Sequence, residues 1–234
     1  MSAGTPLGWA GAINAREVVP GVARMGRREC LTEAGWRDAL AAGYRTVVDL
    51  RAPWEFERQR PDDARVPDAV RAAVSVVNAP TEDPDHPDFK RLLEPYLDHP
   101  SEYETYLRLF GDRVAHALVA VARADGPVIV HCAAGRDRTG LVVALGQLLA
   151  GWPVADIVAG YVASADGTNE HFATHDHPVE RHRTGEEWDV WVGERVEALE
   201  GFLEGFDVTA FLAGHAVSDA DVAALRARFA QPTV

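Results

Sequence analysis

Lysine is nearly missing from this chain. Lys90 is the single lysine, so the 23 basic residues are almost all arginine. The base composition of the coding sequence accounts for that bias without any selection for a ligand. Acidic residues number 36 and leave a net charge of −13. That balance excludes general nucleic-acid binding, which needs basic charge along the contact. Its long-range field also repels a phosphorylated ligand, so any affinity for phosphate must come from local donors. Cysteine is scarce as well: Cys30 and Cys132 are too few for a disulfide scaffold. A lasting bond between them would silence either thiol, and Cys30 reads as a small inert hydrophobe. No apolar run approaches the roughly 20 residues that cross a bilayer. The opening MSAGTPLGWAGAINARE has no basic start leading into an apolar stretch. The expectation is a cytoplasmic protein without stable membrane insertion, with export lacking a signal peptide left open.

What is there suits one globular unit over residues 1–234, with 47% hydrophobic and 25% charged residues. Residues 1–13 are small and Gly-rich and read as a loose arm. Short β-branched runs at Thr46–Leu50 and Pro127–Val130 read as buried strands, Val74–Val77 as a further strand and Val18–Met25 as a short irregular strand. Between them LTEAGWRDALAAG reads as a helix capped by Thr32 and ended by Gly43. Pro53-Trp54-Glu55 reads as the opening of a helical turn. The stretch 78–100 reads as a long acidic loop with a short helix at Phe89–Leu93. Further helices are expected over Ser101–Ala124, Leu141–Ala150, Pro153–Ser164, Trp188–Phe206 and Asp219–Phe229, the last capped by Ser218. Residues 165–186, polar and histidine-rich, read as a surface excursion or lid. Helices alternating with buried strands predict an α/β fold: a central, mainly parallel sheet flanked by helices.

The most informative segment is HCAAGRDRTG, His131 to Gly140. A buried strand precedes it and an apolar helix follows, so it reads as strand, tight loop and helix N-terminus. Backbone N–H groups converge in such a loop, and the helix dipole adds positive potential, which makes an anion site. Cys132 opens the loop, in a field that favours a thiolate. Arg138, with five residues between it and Cys132, offers a planar fork for two phosphate oxygens. Gly135 allows backbone geometry that a Cβ would block.

On these residues the chain resembles the cysteine-dependent protein tyrosine phosphatase superfamily, with Cys132, Gly135, Arg138, Thr139 and Gly140 at the signature spacings. The Asp in GRDR further resembles the bacterial tyrosine/serine phosphatases, which include phosphoinositide-active members and usually carry Lys where this chain has Arg136. NAREV (14–18), TVVDLR with Glu55, and VSDADVAALRARF near the C-terminus extend the resemblance along most of the chain. Gly160-Tyr161 departs from it, since the family tends to have Asp before that Tyr. The resemblance implies the matching fold and hydrolysis of phosphate monoesters through a phosphocysteine, with no cofactor and no metal. Its substrate would be a phosphorylated protein or a phosphoinositide. Ala133, Ala134, Gly135, Arg136, Asp137 and Arg138 would bind the phosphate and its surroundings. Thr139 would donate to the Cys132 sulfur, or serve as a helix cap, and His131 would buttress the loop.

The leaving oxygen needs a proton. The superfamily carries its acid on a loop just past a strand, which favours Asp83 with Asp85 second. Asp137, inside the phosphate loop, is the rival, or else a head-group contact together with Arg136. Asp49, Arg51 and Glu55 read as an ion-pair set near the loop, with a minority reading of Arg51 on the substrate. His171 and His175 have i, i+4 spacing that suits zinc, and His177 and His182 follow, but histidines in a polar excursion are more often incidental. Two other functions compete. A rhodanese-type sulfurtransferase uses a similar cysteine loop that is typically one residue shorter. A non-catalytic phosphate-binding module would be favoured by loss of Cys132 or Arg138, and both are present.

Overall fold

A computed structural model describes residues 4–57, 60–93 and 96–231. The elements run in order β1 (Thr5–Pro6), β2 (Arg16–Val19), β3 (Val22–Met25), α1 (Glu33–Ala41), β4 (Thr46–Asp49), α2 (Trp54–Glu57), α3 (Asp68–Arg71), β5 (Ser75–Asn78), α4 (Phe89–Leu93), α5 (Tyr103–Ala122) and β6 (Val128–His131). They continue with α6 (Asp137–Leu149), α7 (Val154–Phe172), α8 (Gly185–Gly205), α9 (Val208–Gly214) and α10 (Asp219–Arg228). The strands form one six-stranded sheet in the order β1-β2-β3-β6-β4-β5. β1 and β2 run antiparallel, and the four strands from β3 to β5 are mutually parallel. The sheet is therefore mainly parallel and helix-flanked, as the sequence pattern implies.

β3, β4 and β6 are buried at every position, which is why their sequences are apolar runs and not alternating ones. One face carries the larger core, built with α5, α6, α8 and α10; Trp9, Trp36, Ala39 and Tyr44 pack the other. α6 is apolar all round because it is enclosed by α5, α7, α9 and α10. Thr32 caps α1 by accepting from Gly35 N at 3.2 Å, and Ser218 caps α10 by accepting from Asp221 N at 3.2 Å. The register aligns Met25, His131, Asp49 and Asn78 in one row across the parallel strands. That row is the carboxyl edge of the sheet, where ligand crevices of such folds open.

Three expectations change. The arm at 1–13 is not loose from residue 4 onward: β1 pairs with β2, and Trp9 and Ile13 are buried, while residues 1–3 lie outside the described set. The excursion at 165–186 begins late, because α7 continues to Phe172 and buries Ser164, Ala165 and Thr168. Only the segment between α7 and α8 remains irregular. α9 was not expected from the sequence; Asp207 caps it by accepting from Ala210 N at 2.9 Å.

Candidate active site

Cys132 follows β6 directly, is buried and lines a cavity of about 210 Å3. Arg138, Asp137, Arg136, Glu55 and Glu82 share that cavity, whose walls carry Trp54, Phe89, Tyr96 and Phe172. Between Cys132 and α6 the loop turns its carbonyls away from the cavity, and each has a partner outside. Ala133 O accepts from Arg27 N at 2.8 Å. Ala134 O accepts from Thr168 Oγ1 at 3.5 Å, and Gly135 O from Ser164 Oγ at 3.1 Å. Arg24 Nη2 donates to Gly135 O at 2.7 Å and to Arg136 O at 3.2 Å. In a trans peptide the N–H opposes the C=O. Holding the carbonyls outward therefore aims the amides inward, which makes the anion nest. Gly135 is required here: its φ is +76°, and a Cβ would lie 2.4 Å from the Met25 carbonyl carbon.

Arg138 is fixed by two carboxylates. Its Nη1 and Nη2 donate to Glu55 at 2.6 and 2.8 Å, and Nη1 also to Glu82 Oε1 at 2.9 Å. Among the described residues no acceptor occupies its Nε edge, which leaves one side of the fork for two oxygens of a phosphate. Arg136 repeats the arrangement: Nε donates to Asp137 at 3.0 and 3.1 Å, and Nη2 to Glu180 Oε1 at 2.6 Å. Its guanidinium also lies over the Trp191 ring, 5.1 Å from the centroid. In each trio one carboxyl is pushed up and one down. Burial pushes the pKa of Glu82 and of Asp137 up from the ordinary carboxylate value. Burial works the same way on Glu55 and Glu180, but Arg138 and Arg136 outweigh it and hold them low. Carboxyls split in this way differ in how tightly they hold a proton, which suits one of each pair to acid chemistry.

Beneath the loop, His131 Nδ1 lies 3.1 Å from the Cys132 carbonyl oxygen and Nε2 lies 3.3 Å from Asp49 Oδ2. Asp49 is gripped by Arg51, with Nε and Nη2 at 2.9 and 2.7 Å, and Arg51 in turn holds Glu29. Burial opposes ionisation of Asp49, yet His131 and Arg51 keep its carboxyl far below the usual range. The expected set of Asp49, Arg51 and Glu55 is thus divided: Glu29 takes the third place, and Glu55 serves Arg138. Arg51, 1% exposed, is committed to that network.

Of the residues expected at the site, Cys132 through Arg138 come together. Asp83 does not join them: its carboxylate pairs with Arg113 Nη2 of α5 at 2.9 Å, and Glu82 beside it enters the cavity. Thr81 and Glu82 are drawn inward by Tyr106 of α5, whose Oη lies 2.9 Å from Thr81 Oγ1 and 3.3 Å from Glu82 Oε2. Asp85 stays exposed. Thr139 sits inside the first turn of α6 and not at its cap; its hydroxyl is buried and has no hydrogen-bond partner among the described residues. His171 and His175 stack ring on ring at 4.0 Å. Among the described residues, no group of three or more His, Cys, Asp or Glu is placed to hold a metal. Both cysteines are free, and burial lifts the Cys30 thiol to about 11. No described helix is long and apolar enough to cross a membrane.

Comparison with known proteins adds a separate line of evidence. The sequence model of the tyrosine phosphatase family matches residues 7–231. A tyrosine-protein phosphatase of Nostoc commune is 30% identical over 219 residues, covering 86% of this chain and 71% of that protein. The triple specificity protein phosphatase PtpB of Mycobacterium tuberculosis is 32% identical over 161 residues, 58% of each chain. Among solved structures, P. aeruginosa TpbA in complex with pTyr aligns over 91% of this chain and 100% of its own, with a TM-score of 0.47 and 17% identity.

Proposed function

The chain belongs to the tyrosine phosphatase family, and from that premise we propose that it hydrolyses phosphotyrosine on proteins, with Cys132 as nucleophile. The observation that carries this reading is the pairing of Cys132 and Arg138 in a small cavity walled by Trp54, Phe89, Tyr96 and Phe172. The cavity of about 210 Å3 accommodates one aryl phosphate side chain, and it shares Trp54, Glu55, Ala133, Ala134 and Phe172 with an adjoining cleft of about 840 Å3. Arg136 argues in the same direction. Glu180 already pairs with Arg136 at 2.6 Å, so this cation is not free for a second phosphate of a phosphoinositide head group.

In the first step the Cys132 thiolate attacks phosphorus, the S–P bond forms and the P–O bond to tyrosine breaks. The leaving oxygen takes a proton from Glu82 or Asp137, the two carboxyls that burial keeps protonated at higher pH. The Nε edge of Arg138 and the inward amides hold the equatorial oxygens, whose charge is matched most closely in the transition state. Thr139 Oγ1, buried without a hydrogen-bond partner among the described residues, is the hydroxyl that would turn toward the sulfur to stabilise it as leaving group. In the second step water attacks phosphorus and returns its proton to the carboxylate, the S–P bond breaks, and the thiolate is restored. All these groups come from one sheet edge and its helices, which supports reading the chain as a single catalytic unit.

The test is turnover of an aryl phosphate with a chelator present. Wild type turns over, Cys132→Ser does not, and Arg138→Lys, which loses the fork, falls on the order of 10²–10³-fold. A phosphotyrosine peptide is cleaved in preference to a phosphoserine peptide and to a phosphoinositide. An inactive wild type, or a Cys132→Ser variant as active as its parent, overturns the assignment.

A further inference from the structure

β3 reads Val-Ala-Arg-Met, and its arginine has no ordinary reason to be there. Arg24 lies in register with Val130 in the middle of the sheet and is 4% exposed. Buried arginines are normally paired with carboxylates, because an uncompensated buried charge is costly. Among the described residues no carboxylate stands within ion-pair distance of Arg24. Its Nε is buried without an acceptor, and its charge is opposed chiefly by desolvation. What it does contact is the phosphate loop: Nη2 donates to Gly135 O and Arg136 O. Neither carbonyl depends on it alone, since Ser164 Oγ also reaches Gly135 O and Gly140 N also reaches Arg136 O at 2.8 Å.

We propose that Arg24 is a positioning residue for anion capture: from behind the loop it holds two peptide planes so that Arg136 N–H and Asp137 N–H face the phosphate, and it places an unpaired positive charge beneath the site. The two peptide units it grips are those whose nitrogens belong to Arg136 and Asp137. With no carboxylate beside it, the Arg24 charge is not offset locally, whereas Arg138 and Arg136 each share theirs with carboxylates. The Cys132 thiolate and then the bound phosphoryl group supply the negative charge that Arg24 faces. Arg24 thus acts through the loop and does not touch the substrate.

This inference rests on the phosphate loop being the substrate site, and vanadate binding by the folded protein separates the two claims. A wild type that binds no vanadate and hydrolyses no aryl phosphate refutes the function itself. With wild-type binding established, Arg24→Met removes charge and donor while keeping length, and Arg24→Lys keeps the charge. The expected order of vanadate affinity is wild type, then Lys, then Met, with Met at least tenfold weaker. kcat/KM should follow the same order. Thermal stability should not follow it, and Arg24→Met should melt no lower than wild type because it removes an unpaired buried charge. A merely structural residue gives the opposite pattern, with stability lost and the affinity of the surviving folded fraction unchanged. Vanadate affinities within twofold of wild type in both variants overturn the proposal. So does a variant that fails to fold, since Arg24 would then belong to the scaffold.

Discussion

Glu82 and Asp137 show at the residue scale how environment assigns chemistry. Both are carboxyls beside an arginine, an arrangement that by itself favours ionisation. Each shares that arginine with a second carboxylate, Glu55 or Glu180, so one guanidinium faces two negative charges. Burial then decides the outcome and raises the more buried member of each pair. A general acid must carry its proton to act, so the rate falls as pH rises through its raised value. Replacing the true acid, in Glu82→Gln or Asp137→Asn, should flatten that alkaline limb. With a poor leaving group the loss should be about 10²–10⁴-fold, and far less with a nitrophenolate that leaves unaided. Asp83→Asn should keep the limb intact, because its carboxylate faces Arg113 outside the cavity. The pH profiles of the three variants measure this directly.

At the scale of elements, α7 supports the loop from the side opposite the substrate. Ser164 Oγ donates to Gly135 O and itself accepts from Asn14 Nδ2 at 2.6 Å, which ties the N-terminal segment to the phosphate loop. Ser164→Ala leaves Asn14 without this acceptor and should lower stability by about 1–3 kcal/mol, read as a fall in Tm. Activity should fall less than tenfold, because Arg24 still holds Gly135 O. The extent of α7 is also where sequence reasoning stopped short. Ala165 and Thr168 are small or polar, and beyond the helix expected to end at Ser164 they read as surface. They are buried because a helix that approaches the loop backbone closely cannot carry bulk there. The strand-loop-helix segment was legible because its apolar flanks and the spacing of Cys132 and Arg138 are local signals. The same holds for the caps at Thr32 and Ser218. Asp83 and Glu82 could not be separated in sequence, since their sorting is imposed by Tyr106 and Arg113 of α5, far along the chain. Arg24 did carry a signal: a lone arginine in a buried strand between Val22 and Met25.

For the whole molecule, the notable contrast is between a net charge of −13 and a site built to hold a dianion. The local nest can win at contact distance, where it acts in a low dielectric, while the surface field acts on approach. Salt screens the long-range part first, with a Debye length near 10 Å at 0.1 M. Raising ionic strength should therefore increase kcat/KM for an acidic phosphopeptide and leave kcat nearly unchanged. A neutral-flanked peptide should show a smaller rise. Falling kcat/KM with salt for both would mean that a basic patch steers the substrate, contrary to the charge distribution.

The central claim is covalent, and its most direct test is to trap the intermediate. The protein is mixed with an aryl phosphate, quenched in acid within the first turnovers, digested and read by mass spectrometry. The account predicts a phosphoryl group on the peptide that contains Cys132, chased away by longer incubation and missing in Cys132→Ser. Phosphorylation of another residue, such as His131, or turnover with no labelled peptide at any time, would contradict it.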